Sequence, residues 1–73
     1  MNYDIGSVIR KKMEERSMTV TELAHQFGCS RNNMYKIFNK KSVDTTTLYR
    51  LSVILKYNFF AYYHNILVEK EKV

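Results

Sequence analysis

The stretch Thr19–Lys41, TVTELAHQFGCSRNNMYKIFNKK, carries two helix starts and a helix stop in close succession, and its reading decides the fold. Thr19 offers a hydroxyl to the N–H groups that a helix beginning at Val20 leaves unsatisfied, and Glu22 reaches back to complete a capping box. Met18 and Leu23 have the spacing of a hydrophobic staple. Leu23, Ala24 and Phe27 form an inward stripe, and Gly28 is the residue best able to take the left-handed conformation that ends a helix of about two turns. The start signal then repeats, with Ser30 as cap, Asn33 at the third position, and Cys29 and Met34 as the staple pair. Met34, Ile37 and Phe38 turn inward, which leaves Arg31, Asn32, Tyr35, Lys36 and Asn39 outside. Two short helices joined by so short a turn cross steeply, and the small side chain of Ala24 lets their axes approach.

Working outward, Ile5, Ile9 and Met13, with Val8 and Lys12 beside them, predict a first helix over about Asp4 to Arg16, with Ser17 in the turn. Arg10, Lys11, Glu14 and Glu15 fall on its solvent side. A fourth helix is expected from Asp44 to about Lys56, with Val43 and Leu48 as its staple pair, Leu48, Leu51, Ile54 and Leu55 inward, and the Asp44 charge at the positive end of its dipole. Asn58 caps a fifth segment from Phe59 to about Lys70, dense in aromatic residues. The fold class is therefore all-α, a compact bundle of four to five helices. A single unit over residues 1–68 is expected, followed by a polar tail over 69–73 that includes Glu69, Lys70, Glu71 and Lys72.

Composition supports this class and excludes others. A chain of 73 residues, 45% hydrophobic and 14% aromatic, makes one folded domain with little stability to spare. It has no proline and two glycines, a poor supply for strand-and-turn architectures. Cys29 is the single cysteine; with His25 it makes at most half a metal site, and His64 stands alone, so no disulfide, metal or cofactor is expected. No carboxylate pair, acyl-transfer triad or glycine-rich phosphate loop is present, so no catalytic residue is assigned and enzymatic activity is not expected. The start of the chain does not read as a signal peptide, and the apolar runs are too short to span a membrane; a reducing, cytoplasmic location fits.

Twelve Lys and Arg against seven Asp and Glu give a net charge of +5, a modest attraction to polyanions. The distribution is more telling, because Arg31, Lys36, Lys40 and Lys41 all lie in the interval between Glu22 and Asp44, which contains no acid.

From Ile5 to about Tyr63 the chain resembles the lambda-repressor-like helix-turn-helix DNA-binding domains found in phage repressors and in the xenobiotic-response-element family of bacterial regulators. The likeness rests on Ala24, Gly28, Ser30, Leu23, Met34 and Ile37, with Asn39-Lys40 at the turn after the second helix of the motif and Lys41 to Val43 as the link to the fourth helix. The resemblance implies that this second helix enters the major groove of double-stranded DNA. Arg31, Asn32 and Lys36 match the groove-facing positions; Arg and Lys suit guanine, and Asn suits adenine. Asn33 either reaches a base or serves only the cap. Tyr35 either touches sugar or a thymine methyl or simply covers core. Asn39, Lys40 and Lys41 are phosphate candidates, as are the Ser30 hydroxyl and Thr45 and Thr46 at the start of the fourth helix, where Thr47 follows them. The chain departs from the family at Val20, where glutamine is common and helps hold a phosphate, and Thr21 with the adjacent backbone N–H groups is the expected substitute. Lys40 stands where glycine is common, and no proline lies near Val43.

The expected function is sequence-specific DNA binding as a small bacterial or phage transcriptional regulator, a repressor in the first instance. Alternatives are the antitoxin half of a toxin–antitoxin pair, a protein-interaction module, or an architectural protein that binds DNA without sequence preference. One such domain makes few contacts, so a homodimer is expected, paired through Tyr63, Ile66 and Leu67 of the C-terminal helix while Phe59 and Tyr62 fold back on the core.

Overall fold

Each helix among the described residues opens on a side-chain oxygen that accepts a backbone N–H the helix cannot satisfy itself. In the computed structural model, which describes residues 4–71, Asp4 accepts from the N–H of Ser7 ahead of α1 (Ile5–Glu15). Thr19 accepts from Glu22 ahead of α2 (Val20–Phe27), Ser30 from Asn33 ahead of α3 (Arg31–Phe38), and Asp44 from Thr47 ahead of α4 (Thr45–Leu55). Asn58 accepts from the N–H of Phe60 at 3.0 Å at the start of α5 (Phe59–Glu71). The capping box is complete, since the Glu22 carboxylate accepts from the Thr19 N–H at 3.4 Å. The fold is all-α, with five helices among the described residues. α5 continues through Glu71, across the position where the sequence places the start of a polar tail. Residues 72 and 73 of that tail, and the first three of the 1–68 unit, lie outside the described residues.

The helix ends share a second pattern. Gly28 takes φ 89° and closes α2, with the Cys29 N–H reaching back to the Ala24 carbonyl at 3.0 Å. α1 and α4 close the same way, but with Ser17 at φ 56° and Lys56 at φ 52° in the left-handed position. Met18 and Tyr57 make the matching bonds, to Met13 and Ser52, each at 3.1 Å. Two arginines then satisfy carbonyls that these ends leave over. Arg16 donates to Leu55 O at 2.8 Å and to Lys56 O at 3.0 Å, and Arg50 donates to Phe27 O while its guanidinium lies 4.0 Å from the centre of the Phe27 ring. Each cation thus sits at the negative end of a neighbouring helix dipole.

Ile5, Ile9 and Met13 of α1 meet Leu23, Ala24 and Phe27 of α2, Met34, Ile37 and Phe38 of α3, Leu48, Leu51 and Leu55 of α4, and Phe59 in one core. No charged or polar side chain among the described residues is buried in it. Ile54, expected inward, is only half-buried, because Leu51 and Leu55 already fill the space under α4. Cys29 is half-buried beneath the α2–α3 turn.

Besides this side-chain packing, the start of α1 is tied through backbone to the end of α3 and the segment that follows it. The N–H groups of Ile5 and Gly6 donate to the carbonyls of Lys41 and Lys40 at 3.4 and 3.1 Å. A Cβ at Gly6 would fall on the Phe38 carbonyl oxygen and within 2.6 Å of the Ile37 carbonyl oxygen, so only glycine permits the approach.

Gly6→Ala is therefore expected to cost about 3 kcal/mol, a large share of the stability of so small a domain, read from the urea midpoint. Lys56→Gly removes a left-handed residue with a Cβ from an exposed helix end and is expected to raise stability by about 0.5–1 kcal/mol, a rise of several degrees in Tm.

Candidate nucleic-acid interface

α3 has eight residues, and their angular positions at about 100° per residue separate two faces. Met34, Ile37 and Phe38 are buried. Arg31, Tyr35, Asn32 and Lys36, with the C-cap Asn39, share an arc of roughly 140° on the other side. Of these, Arg31, Asn32, Lys36 and Asn39 are exposed, and Tyr35 is half-buried. The structure thus brings four of the five expected base-reading residues onto one surface. Asn33 is exposed but lies past Lys36, toward the side of Ile37, and its N–H is taken by the Ser30 hydroxyl at 3.1 Å. It sits at the edge of the face.

Tyr35 packs edge-on against Phe38, with ring centres 6.0 Å apart and planes at 85°, and its hydroxyl accepts a hydrogen bond from Arg31 at 3.4 Å. Its ring is part of the support under the outward arc, and only its remaining edge faces out. The guanidinium of Arg10, on α1, lies 5.8 Å from the Tyr35 ring centre and 5.5 Å from that of Phe38. Sequence reasoning had no signal for this contact, because helical periodicity places Arg10 on the solvent side of α1 without saying what crosses nearby.

The expected phosphate contacts fall in three groups. Asn39, Lys40 and Lys41 are exposed on the segment that follows α3, and the Lys40 and Lys41 carbonyls are held by α1, so these side chains leave from an anchored backbone. Thr21 is exposed in the first turn of α2, beside the half-buried Val20, and Ser30 is exposed at the start of α3. Thr45 and Thr46 are exposed in the first turn of α4. That turn already contains an anion: the Thr47 hydroxyl and N–H donate to the Asp44 carboxylate and hold its pKa below the usual value of 3.8. A phosphate at Thr45 and Thr46 meets that charge, whereas Lys40 and Lys41 have no such competitor in an ion pair among the described residues.

A different surface is apolar. Tyr49 and Val53 on α4 and Leu67 on α5 are each more than half exposed, and Phe60 and Tyr63 are about one-third exposed. Tyr63 packs edge-on against Tyr62 at 5.5 Å, and its partial burial pushes its hydroxyl above the usual pKa of 10.0. Of the three residues expected to pair two subunits, Tyr63 and Leu67 are exposed and Ile66 is half-buried. Tyr62 is half-buried and Phe59 fully buried. The exposure of Tyr49, Val53 and Phe60 went unforeseen. Phe60 falls in a segment that is apolar all round, so its pattern selects no face.

No helix among the described residues is long and apolar enough to cross a membrane. Comparison with known proteins finds no match among curated proteins and none among solved structures. The model of one family, the Cro/C1-type HTH DNA-binding domain, matches residues 8–59. The matched stretch runs from the first turns of α1 to the first residue of α5 and contains the whole outward face of α3. With most of its length matched and five helices in the corresponding arrangement, the chain belongs to the Cro/C1-type helix-turn-helix DNA-binding domain family, whose role is regulatory DNA binding.

Proposed function

We propose that the protein is a transcriptional repressor that reads a specific site in double-stranded DNA as a homodimer and needs no cofactor. The observation that carries this reading is the outward arc of α3, where Arg31, Asn32 and Lys36 stand exposed on a helix held at both ends. A rigid helix with these donors and acceptors suits the major groove, where Arg and Lys recognise guanine and Asn recognises adenine. Asn39, Lys40 and Lys41 then meet the backbone beside the groove and set the register, with Ser30 and Thr21 at the helix starts as further contacts. Repression requires only that the site be occupied, and the cytoplasm of a bacterial cell is where such a protein acts.

The homodimer is supported by energetics and by the apolar surface. One eight-residue helix reads three or four base pairs, too few for a distinct address, and two copies on a two-fold axis double the site. Tyr63 and Leu67, with the flank of Ile66, supply the apolar area that such pairing buries.

Selection from randomised duplexes at about 150 mM salt should enrich a two-fold symmetric site, and the double variant Arg31→Ala with Asn32→Ala should lose the enrichment. Enrichment that persists in the variant would remove α3 from base reading, and no enrichment in either protein would leave an architectural or protein-interaction role. Leu67→Glu should shift sedimentation from dimer to monomer and weaken binding to the full site by at least about tenfold, while the far-UV circular dichroism of the folded protein, set by a core that Leu67 does not enter, is unchanged. A dimer that survives this change and a matching change at Tyr63 would exclude α5 as the interface.

A further inference from the structure

Arg10 and Arg31 reach the same aromatic ring from different helices. The guanidinium carbons lie 5.8 and 5.9 Å from the centre of Tyr35, and Arg10 also lies 5.5 Å from the centre of Phe38. A guanidinium stacks on aromatic faces better than an ammonium does, and each such contact contributes about 0.5–1 kcal/mol at an exposed site. Two guanidiniums beside one ring also repel each other. Neither is in an ion pair among the described residues, although Glu14 stands four positions after Arg10 on the same helix. Arg10 is exposed, and Tyr35 belongs to the arc that carries Arg31, Asn32 and Lys36. The cation from α1 is therefore held at the border of the outward face of α3, with no carboxylate neutralising it.

An approaching anion meets these charges already placed. Phosphate relieves the repulsion between the two arginines, and a guanidinium fixed by stacking loses little freedom on binding it. We propose that Arg10 is a DNA-phosphate-binding residue, positioned by the rings of Tyr35 and Phe38 at the rim of the α3 face. Tyr35 then acts chiefly as a platform that orders Arg10 and Arg31, and the DNA footprint extends from the helix-turn-helix pair onto α1. This rests on the DNA-binding reading above.

The test is the salt dependence of binding, measured by fluorescence anisotropy on a labelled duplex carrying the selected site and on a random-sequence duplex of equal length. Arg10→Met keeps most of the contact with the two rings and removes the charge. It is expected to weaken binding about three- to tenfold on both duplexes and to reduce the slope of log K against log salt by about 0.9, as loss of one phosphate contact requires. Arg10→Lys should restore the slope, because a phosphate contact needs the charge. In the wild-type protein the Arg10 side-chain N–H resonance should shift as the random duplex is titrated in, a readout that does not depend on how any variant folds. An unchanged slope in Arg10→Met together with an unmoved Arg10 resonance, while the wild-type protein binds, would overturn the proposal and leave the DNA-binding reading intact. Failure of the wild-type protein to bind either duplex would overturn the DNA-binding reading itself.

Discussion

The close approach of α1 to the end of α3 is the constraint on which the rest of the structure depends. A helix of eight residues is too short to be stable alone, so the shape and aim of α3 must come from its neighbours. At its start, Gly28 turns the chain and Ser30 caps the helix, and Met34 is buried against α2. At its end, the Phe38 carbonyl lies against Gly6, where no side chain fits, and the Lys41 and Lys40 carbonyls accept the N–H groups of Ile5 and Gly6. These bonds satisfy donors that α1 would otherwise leave open and immobilise the loop that carries Lys40 and Lys41. The outward face of α3 is thus held from both ends, by a turn, a cap and a buried side chain at the start and by backbone contacts at the finish.

Net charge alone misjudges such a surface. Several cations serve the fold: Arg16 and Arg50 cap the ends of α4 and α2, and Lys12 pairs with Glu15 while lying 4.1 Å from the Tyr57 ring centre. Among the described residues, Arg10, Arg31, Lys36, Lys40 and Lys41 are in no ion pair and gather around α3 and the segment after it, while Lys11, Lys56 and Lys70 are unpaired elsewhere. The electrostatic footprint is therefore more one-sided than a formal charge of +5 suggests.

Much of this was legible in the sequence, and the remainder divides along a physical line. N-terminal caps depend on one side chain and an N–H two or three residues away, so Thr19, Ser30 and Asn58 announced α2, α3 and α5 to within a residue, and the Val43 and Leu48 spacing placed Asp44 ahead of α4; α1 was announced by the periodicity of Ile5, Ile9 and Met13 and not by its cap, Asp4. Gly28 announced a C-terminus because glycine makes the left-handed position inexpensive. Ser17 and Lys56 take the same conformation without that signature; Lys56 also receives a bond from a residue distant in sequence, Arg16 to its carbonyl, whereas the bonds at Ser17 are local. Gly6 belongs with these: a lone glycine near a helix start looks like a weak helix former until the helix crossing it is known. Within the candidate site, the outward positions of α3 followed from periodicity, whereas the half-burial of Tyr35 and the arrival of Arg10 depend on how α1 crosses α3. Periodicity along one helix does not encode that crossing.

α5 poses a different problem, because a helix with apolar residues on every side leaves its buried face undetermined by pattern. Here the join decides. The Ser52 hydroxyl donates to the Leu48 carbonyl at 2.8 Å and accepts from the Phe59 N–H at 3.2 Å, and Phe59 is fully buried with its ring edge-on to Tyr57 at 5.0 Å. The first turn of α5 is therefore fastened to α4, while the later turns carry Tyr63 and Leu67 outward, in a molecule 41 Å long and about 20 Å across. In the proposed homodimer, that fastening bears on how two half-sites are read. Two recognition helices must be held about one helical turn of DNA apart, near 34 Å, and a subunit contact made through a loose terminal helix would let that distance drift. In such a dimer, a contact made through a helix whose first turn is fastened to α4, which packs on α2 as α2 packs on α3, would transmit a single spacing from one groove to the next.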